Sequence, residues 1–250
     1  MAAIAHKLTL YYNRGCPFAA RAVLAMAETK QVHEAIHIDL DTPRPDWFLK
    51  EINPYGQVPA LKINDKDIVL ESLIVAEYLA DLHPESGLLP KDPLQRAQTR
   101  YLIQHWGART QPAQHKASFS LDATDAPQRH QDYITELEKV DKLLRGAFKT
   151  QEPGLDGKGP FFLGSRFTFA DLALASFLTR VPLVEHFQKD LGFKFPTKEE
   201  NPKLARFIEW QDAVVHRDSV LTKLPTKEEL ITVYEKLIKW SEYSLNEQAH

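Results

Sequence analysis

The stretch Leu8-Thr9-Leu10-Tyr11-Tyr12-Asn13-Arg14-Gly15-Cys16-Pro17-Phe18-Ala19-Ala20-Arg21 constrains this chain more than any other. Lys7 to Tyr12 is apolar and aromatic, and short enough for a buried strand. Asn13 to Gly15 carries turn chemistry. Pro17 suits the first position of a helix, where its missing N–H costs nothing. Cys16 is then the expected N-cap, with unpaired backbone N–H groups and the positive helix end facing its sulfur, an arrangement that favours a thiolate. Arg14 and Arg21 stand close in sequence and add positive charge.

Cys16 is also the only cysteine among 250 residues, and Ala19 occupies the place where a C-x-x-C motif would carry its second sulfur. Any disulfide chemistry at Cys16 must therefore take its second thiol from another molecule. A lone cysteine is otherwise a small buried apolar residue. The strand–turn–Cys-Pro–helix setting is what points to reactivity.

The rest of the first third reads as a mixed sheet with helices. Pro17 to about Lys30 has helical spacing, and Glu34 to Ile38 alternates as a strand does. Asp39 to Pro45 is a loop around Arg44, and Asp46 opens a short turn through Leu49. Asn53-Pro54-Tyr55-Gly56 punctuates a loop before a strand at Ala60–Ile63. Pro59 makes that strand an edge or its peptide bond an unusual one. Asn64-Asp65 signals a hairpin to Asp67–Leu70, and Ser72 is the expected N-cap of a helix through Leu82. The segment from His83 to Pro93 holds three prolines and a glycine and reads as a linker. Beyond it the pattern is helical, over roughly 93–118, 127–148, 168–187, 202–216 and 226–243. Thr168-Phe169-Ala170-Asp171 has the form of an acidic capping box, a folding signal. The expected organisation is a domain over 1–83, a linker over 84–93 and an all-helical domain over 94–250.

Hydrophobic residues make up 43 % of the chain, enough for a substantial core, and the net charge of −3 comes without a basic stripe, which argues against nucleic acid. The ten histidines show no metal-ligand spacing, and the glycines of 154–159 do not follow a strand as a phosphate loop requires. No apolar run is long enough for a bilayer, Met1 to Lys7 lacks the form of a signal peptide, and a single cysteine suits a reducing compartment. A soluble cytosolic protein is expected.

Taken together, the motifs resemble the cytosolic glutathione transferases, and Cys16-Pro17-Phe18-Ala19 with Arg44-Pro45-Asp46-Trp47 is similar to the omega class. The resemblance also covers Asn53 to Pro59, Glu71-Ser72, Leu88-Leu89-Pro90, Phe167 to Asp171 and Asn201 to Leu204. It implies an α/β thioredoxin-like domain (β-α-β-α-β-β-α), an all-α domain, glutathione as co-substrate and a homodimer. It gives Cys16 the catalytic role. It assigns Glu71 and Ser72 to the γ-glutamyl end of glutathione, and Gln57 and Val58, before a cis Pro59, to its peptide. Arg44 is placed at its glycine carboxylate and Phe18 near its sulfur. Each has a plainer alternative: Ser72 as an N-cap, Arg44 as a solvated loop charge, Phe18 as core.

The activity implied is thiol transfer through a Cys16–glutathione mixed disulfide. Two other readings stay open. Tyr11 or Tyr12 could activate glutathione for conjugation, and a cleft lined by Tyr12, Trp106, Arg180, Tyr234 and Trp240 could carry aromatic small molecules. Aromatic residues at helical spacing are more often core.

Overall fold

The structure is a computed structural model that describes residues 6–119, 122–147 and 149–248, with side chains through Lys239. Met1–Ala5 lie outside the described residues, and so does the side chain of Trp240.

Four strands, β1 (Leu8–Tyr12), β2 (Glu34–His37), β3 (Ala60–Ile63) and β4 (Asp67–Leu70), form one sheet in the order β2-β1-β3-β4. β1 pairs parallel with β2 and antiparallel with β3, and β3 pairs antiparallel with β4. The parallel pair needs a crossover, which α1 (Ala19–Glu28) supplies. β3 is interior, and the Val58–Pro59 peptide just before it is cis. Between β2 and β3 lies α2 (Asp46–Glu51), and α3 (Ser72–Leu82) follows β4.

The remainder is helical: α4 (Pro93–His105), α5 (Gln111–Ser118), α6 (Ala126–Arg145), α7 (Phe169–Leu178), α8 (Val181–Gln188), α9 (Ala205–Val215), α10 (Asp218–Lys223) and α11 (Lys227–Gln248). Three boundaries differ from the periodicity reading. The helix expected over 93–118 carries a π-helical turn, Trp106–Thr110, in its middle. The helix expected over 168–187 breaks at Thr179–Arg180, where Pro182 starts α8 because it cannot donate into a continuing ladder. The short α10 was not expected.

All ten residues of α7 are buried. A helix apolar all round belongs inside a domain. The capping box forms as expected: Asp171 accepts from the Thr168 backbone N–H at 2.8 Å. It also accepts from Phe162 N–H at 2.9 Å and from Trp210 Nε1–H at 2.7 Å. Burial raises the pKa of this carboxyl, and those hydrogen bonds pull against it.

One core runs through both parts of the chain, from Leu10, Ala22 and Leu79 to Leu172, Phe207 and Trp210. A polar clamp closes its edge. Glu28, at the end of α1, accepts from Arg217 at 3.0 and 2.9 Å and from the Ser219 hydroxyl at 2.6 Å. Burial alone would raise the Glu28 pKa, but the Arg217 and Ser219 hydrogen bonds outweigh it, and the net direction is down.

A folded-state pKa below the unfolded value of 4.5 means that the clamp contributes stability above about pH 4.5. That contribution disappears as the pH falls through the folded value. Thermal melts should show Glu28→Gln destabilised by about 1–3 kcal/mol at pH 7. The gap between variant and parent should close on acidification below pH 4.5. A gap that stays constant across this window would show that Glu28 contributes no ionised contact.

Candidate active site

The turn after β1 is built by Asn13. Its Oδ1 accepts from Gly15 N–H at 2.9 Å, its carbonyl from Cys16 N–H at 3.2 Å, and its Nδ2 donates to the Ile38 carbonyl at 2.9 Å. Regular α1 begins at Ala19 rather than Pro17, with Phe18 in the cap position. Even so, Ala20 N–H already bonds to the Cys16 carbonyl at 3.2 Å, so the helical ladder starts at Cys16. The Cys16 Sγ is half-buried and lies 3.9 Å from the Val58 carbonyl oxygen.

Cys16 opens onto a cavity of about 570 Å³, a size typical of small-molecule sites. Phe18, Arg44, Gln57, Val58, Pro59, Glu71 and Ser72 all line it, so the expected glutathione residues surround one space with the cysteine. Leu40, Asn53, Tyr55, Gly56 and Leu70 line it as well and were not singled out from the sequence. Asn53 was the readable one. It is buried, its Nδ2 donates to the Gln57 carbonyl at 2.9 Å, and its Oδ1 accepts from Tyr55 N–H at 3.1 Å. It thereby sets the course of the chain into Val58. Gly56 has φ +66°, and a Cβ there would stand 3.0 Å from the Arg44 Cγ, so the turn requires glycine.

Three residues behave differently from expectation. Arg44 was to present its fork to a carboxylate. Instead it donates through Nε to the Gly56 carbonyl (3.1 Å), through NH1 to the carbonyls of Asp39 (2.8 Å) and Thr42, and through NH2 to that of Leu40 (3.3 Å). It clamps its own loop and brings its charge, with four N–H groups already engaged, to the cavity wall. Ser72 is the first residue of α3 rather than its cap, and Glu71 holds the cap position. The Ser72 hydroxyl accepts from Arg21 NH1 at 3.0 Å. Glu71 sits at φ +68°, ψ 119°, a conformation that costs a non-glycine residue about 1–3 kcal/mol. Strain of this kind collects at ligand-binding positions.

Phe18 is 39 % exposed and packs edge-on against Phe177, with centroids 5.6 Å apart, so it joins the cavity rim to the helical domain.

The expected acceptor cleft does not assemble. Trp106 is fully buried among Phe177, Phe207 and Trp210 and is core. Tyr234 is buried in a separate cluster, stacked on Phe119 and Phe187 at 5.2 and 5.8 Å. Arg180 is buried and donates to the carbonyls of Gly15 (2.8 Å) and Ser176, so it supports the Cys16 turn from behind. Tyr12 lines a different groove, with Arg14, Lys30 and Lys223. Aromatic packing among helices removed Trp106 and Tyr234 from the open surface. Tyr11 is buried against Trp47 and Phe48 and does not line the Cys16 cavity. Burial, with Glu34 contributing, raises its phenol pKa.

The described residues contain no group of three or more His, Cys, Asp or Glu placed to hold a metal ion, and no helix among them is long and apolar enough to cross a membrane.

Residues 10–87 match the glutathione S-transferase N-terminal domain family, and residues 127–209 match the glutathione S-transferase C-terminal domain family. Glutathione S-transferase omega-1 of Rattus norvegicus is 37 % identical over 219 residues, 85 % of this chain and 84 % of that protein. A probable glutathione transferase omega-2 of Caenorhabditis elegans is 30 % identical, covering 88 % of this chain and 82 % of its own length. The crystal structure of glutathione transferase Omega 1C from Trametes versicolor superposes with a TM-score of 0.72 at 28 % identity, over 94 % of this chain and 97 % of that one.

Asn53→Ala removes two part-buried hydrogen bonds that shape the cavity loop. Chemical denaturation should show a loss of about 1–3 kcal/mol, and hydrogen exchange should rise at Tyr55 and Gly56. An exchange pattern like the parent's would show that the loop does not depend on Asn53.

Proposed function

Because this chain belongs to the glutathione transferase superfamily, as an omega-like member, we propose that it is a thiol transferase that works through a Cys16–glutathione mixed disulfide. The observation that carries this reading is that the only thiol of the chain shares one cavity with Glu71, Ser72 and the Val58 carbonyl. A bound tripeptide can run an extended backbone past Val58, in the manner of an added strand. Its γ-glutamyl carboxylate can meet the Ser72 hydroxyl and the free N–H groups at the start of α3, and its ammonium can meet Glu71. The same placement brings the glutathionyl sulfur towards Cys16.

The reaction is an exchange. The Cys16 thiolate attacks the glutathionyl sulfur of a mixed disulfide, the original S–S bond breaks, and the acceptor leaves as a thiolate that takes a proton from solvent. A second glutathione thiolate attacks the same glutathionyl sulfur, glutathione disulfide departs, and Cys16 is regenerated as a thiolate. In the net exchange one reduced glutathione is consumed, the acceptor is released as its free thiol, and the glutathionyl group it carried departs within glutathione disulfide. No second protein cysteine is needed, which matches a chain that has only one. We read the protein as a cytoplasmic homodimer, in keeping with the family. Conjugation through Tyr11 or Tyr12 is disfavoured, since neither lines this cavity.

Incubation with glutathione disulfide should add one glutathionyl mass to Cys16, and excess reduced glutathione should remove it. Cys16→Ser should abolish the adduct and thiol transfer, by at least about 10³-fold for loss of a covalent nucleophile, while conjugation to an electrophile persists or rises. Thiol transfer that survived in Cys16→Ser would overturn the mechanism.

A further inference from the structure

Arg21 is 6 % exposed, and among the described residues it forms no ion pair with a carboxylate. Its Nε donates to the Ala173 carbonyl of α7 at 2.8 Å, and its NH1 donates to the Ser72 hydroxyl at 3.0 Å. Its guanidinium carbon lies 5.4 and 5.1 Å from the ring centroids of Phe18 and Phe177. Burial lowers its pKa to about 10, which leaves it charged at neutral pH. A buried cation without a counter-charge is costly, because carbonyl dipoles and aromatic faces only partly replace the water it has lost.

The geometry points to what completes it. Because Ser72 Oγ accepts from Arg21, its own O–H is turned free to donate. Ser72 lines the cavity, and Arg21 stands behind it. We propose that Arg21 is a positioning residue that makes Ser72 selective for an anion: it fixes the Ser72 hydroxyl as a donor towards the cavity and supplies the positive charge that a ligand carboxylate there neutralises. This inference rests on glutathione occupying the cavity with its γ-glutamyl carboxylate at Ser72. It adds that the selectivity for that carboxylate comes from a side chain that never touches the ligand.

The test compares reduced glutathione with its analogue lacking the γ-glutamyl α-carboxylate, γ-aminobutyryl-cysteinyl-glycine, by calorimetric titration of the full chain. The parent should bind glutathione about 10- to 100-fold more tightly than the analogue, the range of a charge-assisted hydrogen bond. In Arg21→Gln that ratio should fall to within about threefold, through weaker binding of glutathione with little change for the analogue. A purely structural role would weaken both ligands alike and leave the ratio intact, which would overturn the proposal. If Arg21→Gln does not fold, the ratio is read on Arg21→Met, which keeps an apolar stem between Phe18 and Phe177 and carries no charge. A severalfold drop supports the proposal, and an unchanged ratio overturns it. A parent that binds both ligands equally well also overturns it, while glutathione binding stands. A parent that binds no glutathione removes the functional reading itself, and this inference with it.

Discussion

The site depends on the contact between one face of the α7 segment and the turn that carries Cys16. Ala173, Ser176, Phe177 and Arg180 recur at helical spacing, and each meets the first domain. The Ala173 carbonyl accepts from Arg21, and the Ser176 hydroxyl donates to the Pro17 carbonyl at 2.7 Å. Phe177 packs on Phe18, and Arg180 donates to the Gly15 carbonyl. The carbonyls on both sides of Cys16 are therefore held by the other domain. The asymmetry between made and unmade buried hydrogen bonds gives this contact its rigidity: losing one partner would strand a buried polar group at about 1–3 kcal/mol. The capping box anchors this helix in turn, since Asp171 ties Thr168 and Phe162 to Trp210.

The electrostatics follow from the same packing. Two guanidinium groups, Arg21 and Arg180, are buried near Cys16 and are satisfied mainly by backbone carbonyls rather than carboxylates. Burial lowers the pKa of both, with the cysteine acting in the opposite direction on each. Carbonyl dipoles solvate a cation without cancelling its charge, so a positive field remains at the cavity floor. Elsewhere several arginines are paired with carboxylates, Arg217 with Glu28, Arg145 with Asp141 and Arg166 with Glu152, whereas Arg206 donates to the carbonyls of Gly159, Pro160 and Phe161. Arg21 and Arg180, both buried and held by carbonyls and a hydroxyl, lie beside the place where the reacting sulfur and the carboxylate of a ligand would sit.

Much of the frame could be read from residue order. The strands at Ala60–Ile63 and Asp67–Leu70 are bounded by Pro59, the Asn64-Asp65 turn and Glu71, all local signals, and they appear as expected. Cys16 was legible because turn chemistry is local too, whereas Val58 came from the family resemblance, and the local reading of Ser72 as a helix cap was off by one, since Glu71 holds that place. What stayed hidden was set at long range. Arg21 takes its partners 51 and 152 residues away, and no spacing rule joins them. Arg44 was read as a fork facing a ligand carboxylate because the carbonyls that fold around it give no side-chain signal. Trp106 and Tyr234 have the periodicity of core and also the chemistry of a ligand cleft, and only packing distinguishes the two. The break at Arg180 was different, since Pro182 announced it.

A fixed positive floor suits an exchange in which the same charge returns to the same place. In the proposed cycle the negative charge leaves Cys16 when the first disulfide forms and comes back when the second glutathione departs. Solvent could follow that charge only by reorienting in each step, whereas preorganised dipoles and buried cations need no rearrangement. That economy requires the Cys16 turn to hold still while ligands of different shape come and go. The division of the molecule meets this need: the wall behind Cys16 is interdomain core, while the side facing the ligand is loop, with Tyr55 79 % exposed at the cavity mouth. Rigidity lies where the charge is handled, and exposed surface lies where the acceptor must enter.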